Sequence, residues 1–481
     1  MIFHGRKKKL GLATGILAAS MLLAACDDGS MNADLRVIHA SDDAPPVNVR
    51  VGKKKLISDL DYAESSGYVA VRSGTKKVAV EAIIPGGNAN VIEVKRFKFK
   101  KDTRYNILAV NKTADIAPLV VQESATDPGL DEVAIAVVHA APDVGMVDVY
   151  VTGPGALLNG TDPTFTFDFE GVVDAGVLPV DSPYRIRVAA MGETDPDDPA
   201  KLAYDSGTLD LSGFAGDKIL LAALLSENET EKAASPIKLL AATDISQAEL
   251  LDSRTLVGAR VVHLSPDAGT AAGGPVEVFA TSAALPGTVE LIDAFSYEDI
   301  VPAGGATYVP VPAGDYVFNV APDGAGVPGV YTSPNLTLGT GKEYSVIAAG
   351  NVLSDPSFGL LATADDNRKI VTQASVKVVH AAPLAGLVDV FVTPSKKNFH
   401  PDDLLSGKAG KPLLKNFPFG DITGYVPLKP GNYDIRVVAG GAVAIDIEDF
   451  SLDAGLVATV IARQPDGDND PADFGVVVLT N

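Results

Sequence analysis

The chain has 481 residues, with 39 Lys and Arg against 61 Asp and Glu and a formal net charge of −22. So acidic a balance argues against nucleic acid as a partner, and a single cysteine excludes a disulfide within the chain, so stability must come from packed cores. With 46 Gly, 32 Pro, no Trp and valines alternating along short runs, the composition predicts many short strands joined by tight turns.

Residues 1–25 read as a signal peptide. Arg6, Lys7, Lys8 and Lys9 precede an apolar run from Leu10 to Leu23, and Leu23-Ala24-Ala25 leads into Cys26. A basic start, a short apolar segment and small residues before the cut describe export, since a stable membrane span needs about 20 apolar residues. Leu-Ala-Ala-Cys resembles the bacterial lipobox, which implies that Cys26 is lipidated and that its thiol is an attachment point. Residues 26–33 would then be a lipidated tether. Asp27 and Asp28 resemble a retention signal of inner-membrane lipoproteins. The expected location is therefore the periplasmic face of the inner membrane, with the outer membrane or cell surface as the alternative.

Beyond the tether one strand motif returns four times. It reads Val37-Ile38-His39-Ala40, Val137-Val138-His139-Ala140, Val261-Val262-His263-Leu264 and Val378-Val379-His380-Ala381. A second alternating strand follows each, with Asn48, Asp148, Glu277 and Asp389 at its polar position. The two strands read as a hairpin with a Pro-containing turn. Further turn-plus-strand signals bring each unit to the strand count of a β-sandwich. The expected fold is all-β: four tandem immunoglobulin-like β-sandwich domains, at 34–123, 132–243, 257–363 and 374–481. Ile245 to Leu256 is the best helical candidate and reads as a linker.

His-Ala-Ala-Pro-Asp followed by Val-Asp-Val-Tyr-Val, at 139–143 and 147–151, resembles the signature of the domain of unknown function 4397 family. The resemblance covers nearly all the mature chain as four units and is best in the second and fourth. It implies secreted or lipid-anchored bacterial proteins built of repeated β-sandwich-like units, and it brings no catalytic residues with it.

Strand alternation puts His39, His139, His263 and His380 on the inward face, where a neutral imidazole closing a strand end satisfies the pattern. The rival is a His with a nearby acid, such as His139 with Asp143 or Asp148, in an exposed cleft. Asp466, Asp468 and Asp470 alternate as calcium ligands do, but Pro471 and Val477 stand where an EF-hand loop needs Gly and Glu. Calcium is thus an alternative to the expectation of no cofactor. Lys95 to Lys101 reads as a strand with Arg96, Lys98 and Lys100 on one face and Phe97 and Phe99 on the other. That face is either a solvated edge or a contact with anionic lipid.

The charge is uneven: residues 34–123 hold 15 Lys and Arg against 11 Asp and Glu, and the rest of the chain is strongly acidic. No nucleophile elbow, His-Glu-x-x-His pair or phosphate loop occurs. The expectation is a non-enzymatic envelope scaffold or binding module. It would be held to the membrane by lipid and would recognise an envelope protein or glycan through the loops at 153–163, 193–199, 270–274 and 395–411. The alternative is a metal-dependent carbohydrate-binding or hydrolytic protein using acidic loops.

Overall fold

The computed structural model describes residues 31–123, 126–268, 274–352, 357–395, 410–465 and 473–481. It is all-β, as the composition predicts, and the described strands form eight sheets that fall into four pairs along the chain. The first pair shows the pattern. Its strands are β1 (Asn32–His39), β2 (Val47–Val51), β3 (Lys54–Leu60), β4 (Val69–Arg72), β5 (Gly74–Ile84), β6 (Gly87–Phe99), β7 (Arg104–Val110) and β8 (Ala117–Gln122). One sheet runs β4-β1-β7-β8 and the other β3-β2-β5-β6. Leu35, Val37, Val47, Val49, Val80, Phe99 and Ile107 fill the space between them. In the first sheet β1 runs parallel to β7. The same parallel pairing joins Glu132–His139 to Lys218–Leu225, Val257–Leu264 to Glu343–Ala349, and Ala374–His380 to Val457–Arg463.

Two local expectations are corrected. The motif strand and its successor do not form a hairpin, because β1 and β2 belong to opposite sheets. The Pro-containing loop is an arch that carries the chain from one layer to the other. Nor is 245–256 helical: Gln247–Leu250 is a strand paired antiparallel with Leu239–Ala242. The α-helix among the described residues is instead Glu229–Ala234, capped by Asn228, whose side chain accepts from the Glu231 N–H. The backbone of 247–250 gains ladder hydrogen bonds from an adjacent strand edge, and this outweighs a weak helical periodicity.

The units are not strung out in a row. The outer face of the β1–β7 sheet carries Ile38, Leu108 and Val110, and it packs against Val138, Leu220, Leu224 and Leu240 of the second unit. Likewise Val262, Leu264 and Ile347 of the third unit meet Val379, Ile461 and Leu479 of the fourth, all 0% exposed. The motif strand is therefore buried on both faces, with the histidine in its own sandwich and the preceding residue in the seam. Polar contacts join the two pairs. Asn228 donates to the Gly341 carbonyl, and Thr230 donates through its N–H and hydroxyl to Glu343. From the connector before the fourth unit, Arg368 donates to the Ala44 carbonyl and pairs with Asp61, and the Val371 N–H donates to the Asp43 carbonyl.

Candidate functional site

Each motif histidine sits at the foot of an arch. The rings of His39, His139, His263 and His380 are at most 2% exposed. His39 Nε2 lies 3.0 Å from the Pro45 carbonyl, His139 Nε2 3.2 Å from that of Gly145, and His380 Nε2 2.9 Å from that of Gly386. On the other side of the ring, Nδ1 accepts from the N–H two residues on, at Ser41, Ala141, Ser265 and Ala382. A carbonyl needs a donor and an N–H needs an acceptor, so the ring facing both is neutral with its proton on Nε2. Burial holds His39 and His263 down at about 4 and lowers His139 and His380 in the same direction. Aromatic rings pack on each imidazole: Tyr62 on His39, Phe167 and Phe169 on His139, Phe295 on His263, and Phe417 and Phe419 on His380.

The polar position of the second strand is occupied in a similar way. Asp148 accepts from the Thr166 hydroxyl and the Gly192 N–H. Glu277 accepts from the Gly324 N–H, Asp389 from that of Asn416, and Asn48 from that of Asp59. The acids near His139 have partners of their own, since Asp143 pairs at 3.0 Å with Lys112 of the first unit.

Among the acidic groups, Glu277, Asp293 and Asp323 of the third unit bring carboxylate oxygens within 4.8 Å of one another, with Glu277 buried and the other two exposed. Oxygen-only donors of this kind suit a hard cation. Asp466, Asp468 and Asp470 lie outside the described residues, as do Cys26, Asp27 and Asp28. Of the four candidate loops, 153–163 and 193–199 meet each other. Asp197 accepts from the N–H groups of Leu158 and Asn159, and Leu158 is buried beside Tyr150, Ala189 and Leu202. Residues 270–273 and 396–409 lie outside the described residues.

Sequence reading missed the charges in the seams between units. Three residues before the motif histidine, on the face opposite to it, stand Arg36, Ala136, Arg260 and Lys377. Each basic one reaches the end of its neighbour's last strands. Arg36 donates to the carbonyls of Ala242 and Thr243, Arg260 to the Asn481 side chain, and Lys377 to the Ala364 carbonyl. Asp365, whose side chain is fully buried, lies between Arg260 at 3.1 Å and Lys377 at 3.0 Å. The available signal was a lone Arg or Lys in a strand otherwise apolar on both faces, which marks a strand buried on both sides.

The basic segment falls on β6, an edge strand. Arg96, Lys98 and Lys100 are exposed, while Phe97 and Phe99 turn inward and pack on Tyr105 with ring centroids 5.3 and 5.6 Å away. A register shift between Lys76 and Val78 leaves Lys95 exposed as well.

No curated protein matches the chain. Among solved structures, the Bacillus anthracis TIE protein is 11% identical, covering 88% of this chain and 69% of that one with a TM-score of 0.15. A candidate cell adhesion protein from Bacteroides uniformis is 9% identical, covering 49% of this chain and 99% of that one with a TM-score of 0.17. A candidate adhesin from Bacteroides ovatus is 8% identical, covering 46% and 95% with a TM-score of 0.13. Residues 33–150 and 257–391 match the family described as Domain of unknown function (DUF4397). Each match holds two histidine motifs and ends in the second strand of the following unit. Together they span more than half of the sequence, and the chain belongs to that family.

Proposed function

We propose that this chain is a non-enzymatic scaffold and binding module of the bacterial cell envelope, held to a membrane by lipid on Cys26. The observation that carries the reading is the use the repeat makes of its polar residues. The histidines close arches and the Asp, Glu and Asn of the second strand cap loops. Arg36, Arg260 and Lys377 join one unit to the next. Side chains so engaged build a support and leave recognition to the loops it presents. The leader and Leu-Ala-Ala-Cys support export and lipid attachment, and Asp27 supports retention at the inner membrane.

The test is photo-cross-linking in cells from a photoreactive residue at the exposed position of Thr194, in the loop that Asp197 fastens to 153–163. The reading expects a discrete envelope protein or glycan adduct, and loss of that adduct when Asp195 and Glu193 are replaced together by Ala. An adduct unchanged by the replacement would refute recognition through these loops. A Cys26→Ala chain that still partitions with membranes would refute the lipid anchor.

A further inference from the structure

The first unit departs from the charge of the rest of the molecule, and its bare cations gather where the chain leaves for the tether. The Ser73 N–H donates to the Met31 carbonyl and the Asp102 N–H to that of Asn32. The start of β1 is thus held between the β4–β5 turn and the β6–β7 turn. Lys98, Lys100 and Lys101 come from the second of these, and Arg96, Lys98 and Lys100 share the exposed face of β6 and its end. Lys101 lies 3.6 Å from Asp102, and Lys77 is paired with Glu93. Among the described residues, Arg72, Lys76, Lys95, Arg96, Lys98 and Lys100 have no carboxylate within ion-pair distance. Met31, 58% exposed, stands beside this ridge. The face is available, because the second unit packs on the other sheet of the first unit, over Ile38 and Leu108.

Lysines on an edge strand also deter edge-to-edge pairing. That role, however, gives no reason for the ridge to gather at the point where the tether begins. From Met31 back to Cys26 is five residues, which fully extended reach about 17 Å. A lipid on Cys26 would hold the ridge within about two Debye lengths of the headgroups.

We propose that the ridge of Arg96, Lys98 and Lys100 docks the first unit onto anionic lipid headgroups, so that the anchored molecule lies against the bilayer through this face. The inference rests on the lipid anchor proposed above. The acidic remainder of the chain, repelled by the same surface, faces away from it. Each basic residue at an anionic surface strengthens binding roughly fivefold, so reversing three of them weakens it more than 100-fold.

The experiment uses the full chain, lipid-modified as expressed, reconstituted into vesicles of phosphatidylcholine alone or with about one-third phosphatidylglycerol. Flotation reports anchoring, and amine acylation read by mass spectrometry reports the ridge. The expected result is flotation with both vesicles, with acylation of Lys98 and Lys100 slowed at least fivefold on the anionic vesicles only. Added salt should restore the rate. In the variant carrying Arg96→Glu with Lys98→Glu and Lys100→Glu, whose positions are exposed, the neighbouring exposed Lys101 should lose its protection while the circular dichroism is unchanged. Flotation without slowed acylation overturns the docking and leaves the anchor standing. Failure to float with phosphatidylcholine overturns the anchor instead. Equal slowing on both vesicles, rising with protein concentration, would assign the ridge to a second copy of the chain and overturn the lipid assignment.

Discussion

Replacing His39 by Gln tests whether the motif imidazole is a neutral strut. Its ring is 0% exposed, gives Nε2–H to the Pro45 carbonyl and takes the Ser41 N–H on Nδ1. Protonating Nδ1 would remove that acceptor and bury a cation, with Arg368 adding repulsion, so burial keeps the folded ring neutral down to about 4. Unfolded, the same ring titrates at about 6.5. The folded pKa is the lower one, so this contribution is complete above pH 6.5 and is lost as the pH falls from there to about 4. At pH 5 the loss is about 2 kcal/mol, from roughly 1.5 pH units at about 1.4 kcal/mol each. Gln does not titrate, so the stability difference between wild type and His39→Gln should shrink by about 2 kcal/mol between pH 7 and pH 5. Urea unfolding at fixed ionic strength, followed by far-UV circular dichroism, measures it. The 13 tyrosines supply a second probe in a chain without Trp. A difference that is the same at both pH values would show that the ring titrates alike folded and unfolded, and would refute the neutral strut.

Asp365→Ala should destabilise the third and fourth units by about 3–5 kcal/mol, because it strands Arg260 and Lys377 in a buried seam without their shared carboxylate. The check is urea unfolding beside Asp143→Ala, which removes an exposed pair and should cost under about 1 kcal/mol. Thermal melts in calcium, zinc and EDTA at one ionic strength should superimpose if the acidic groups are a solvated surface. A midpoint that rises to saturation with one metal, and stops rising in Glu277→Gln with Asp323→Asn, would turn the reading toward metal-dependent binding.

Much of the sandwich was legible because period-two alternation and turn residues are local signals. The inward direction of His39 followed from Leu35 and Val37 sharing its face. What stayed hidden was the destination of the opposite face. Ile38 and Val138 are each compatible with a solvated face, a seam or an oligomer contact, and only the structure puts them together. The arch was misread as a hairpin because Ser41 to Pro46 has the composition of either turn. Which sheet receives Val47 depends on pairings with 78–82, more than 30 residues away. The strand at 247–250 was misread for the same reason: its partner, rather than its own periodicity, decides its state.

The seams bear on why the repeats come in pairs. Without its neighbour the first unit would expose Ile38, Leu108 and Val110 on one face and leave Arg36 without the Ala242 and Thr243 carbonyls, and the third unit would expose Val262, Leu264 and Ile347 around Arg260. Burying each apolar side chain is worth about 1.5–3 kcal/mol, so an unpaired unit would carry an aggregation-prone patch. The basic residue supplies direction, because its remaining hydrogen bonds are made only when the neighbour's last strands stand in register beside it. In the first pair that cation comes from one side alone, since Ala136 replaces it in the second unit. In the second pair both sides contribute and share Asp365. The two seams therefore have the same apolar plan but different polar chemistry, which disfavours exchange of partners between pairs: Lys377 facing any unit but the third, which carries Asp365, would be buried without its counter-ion.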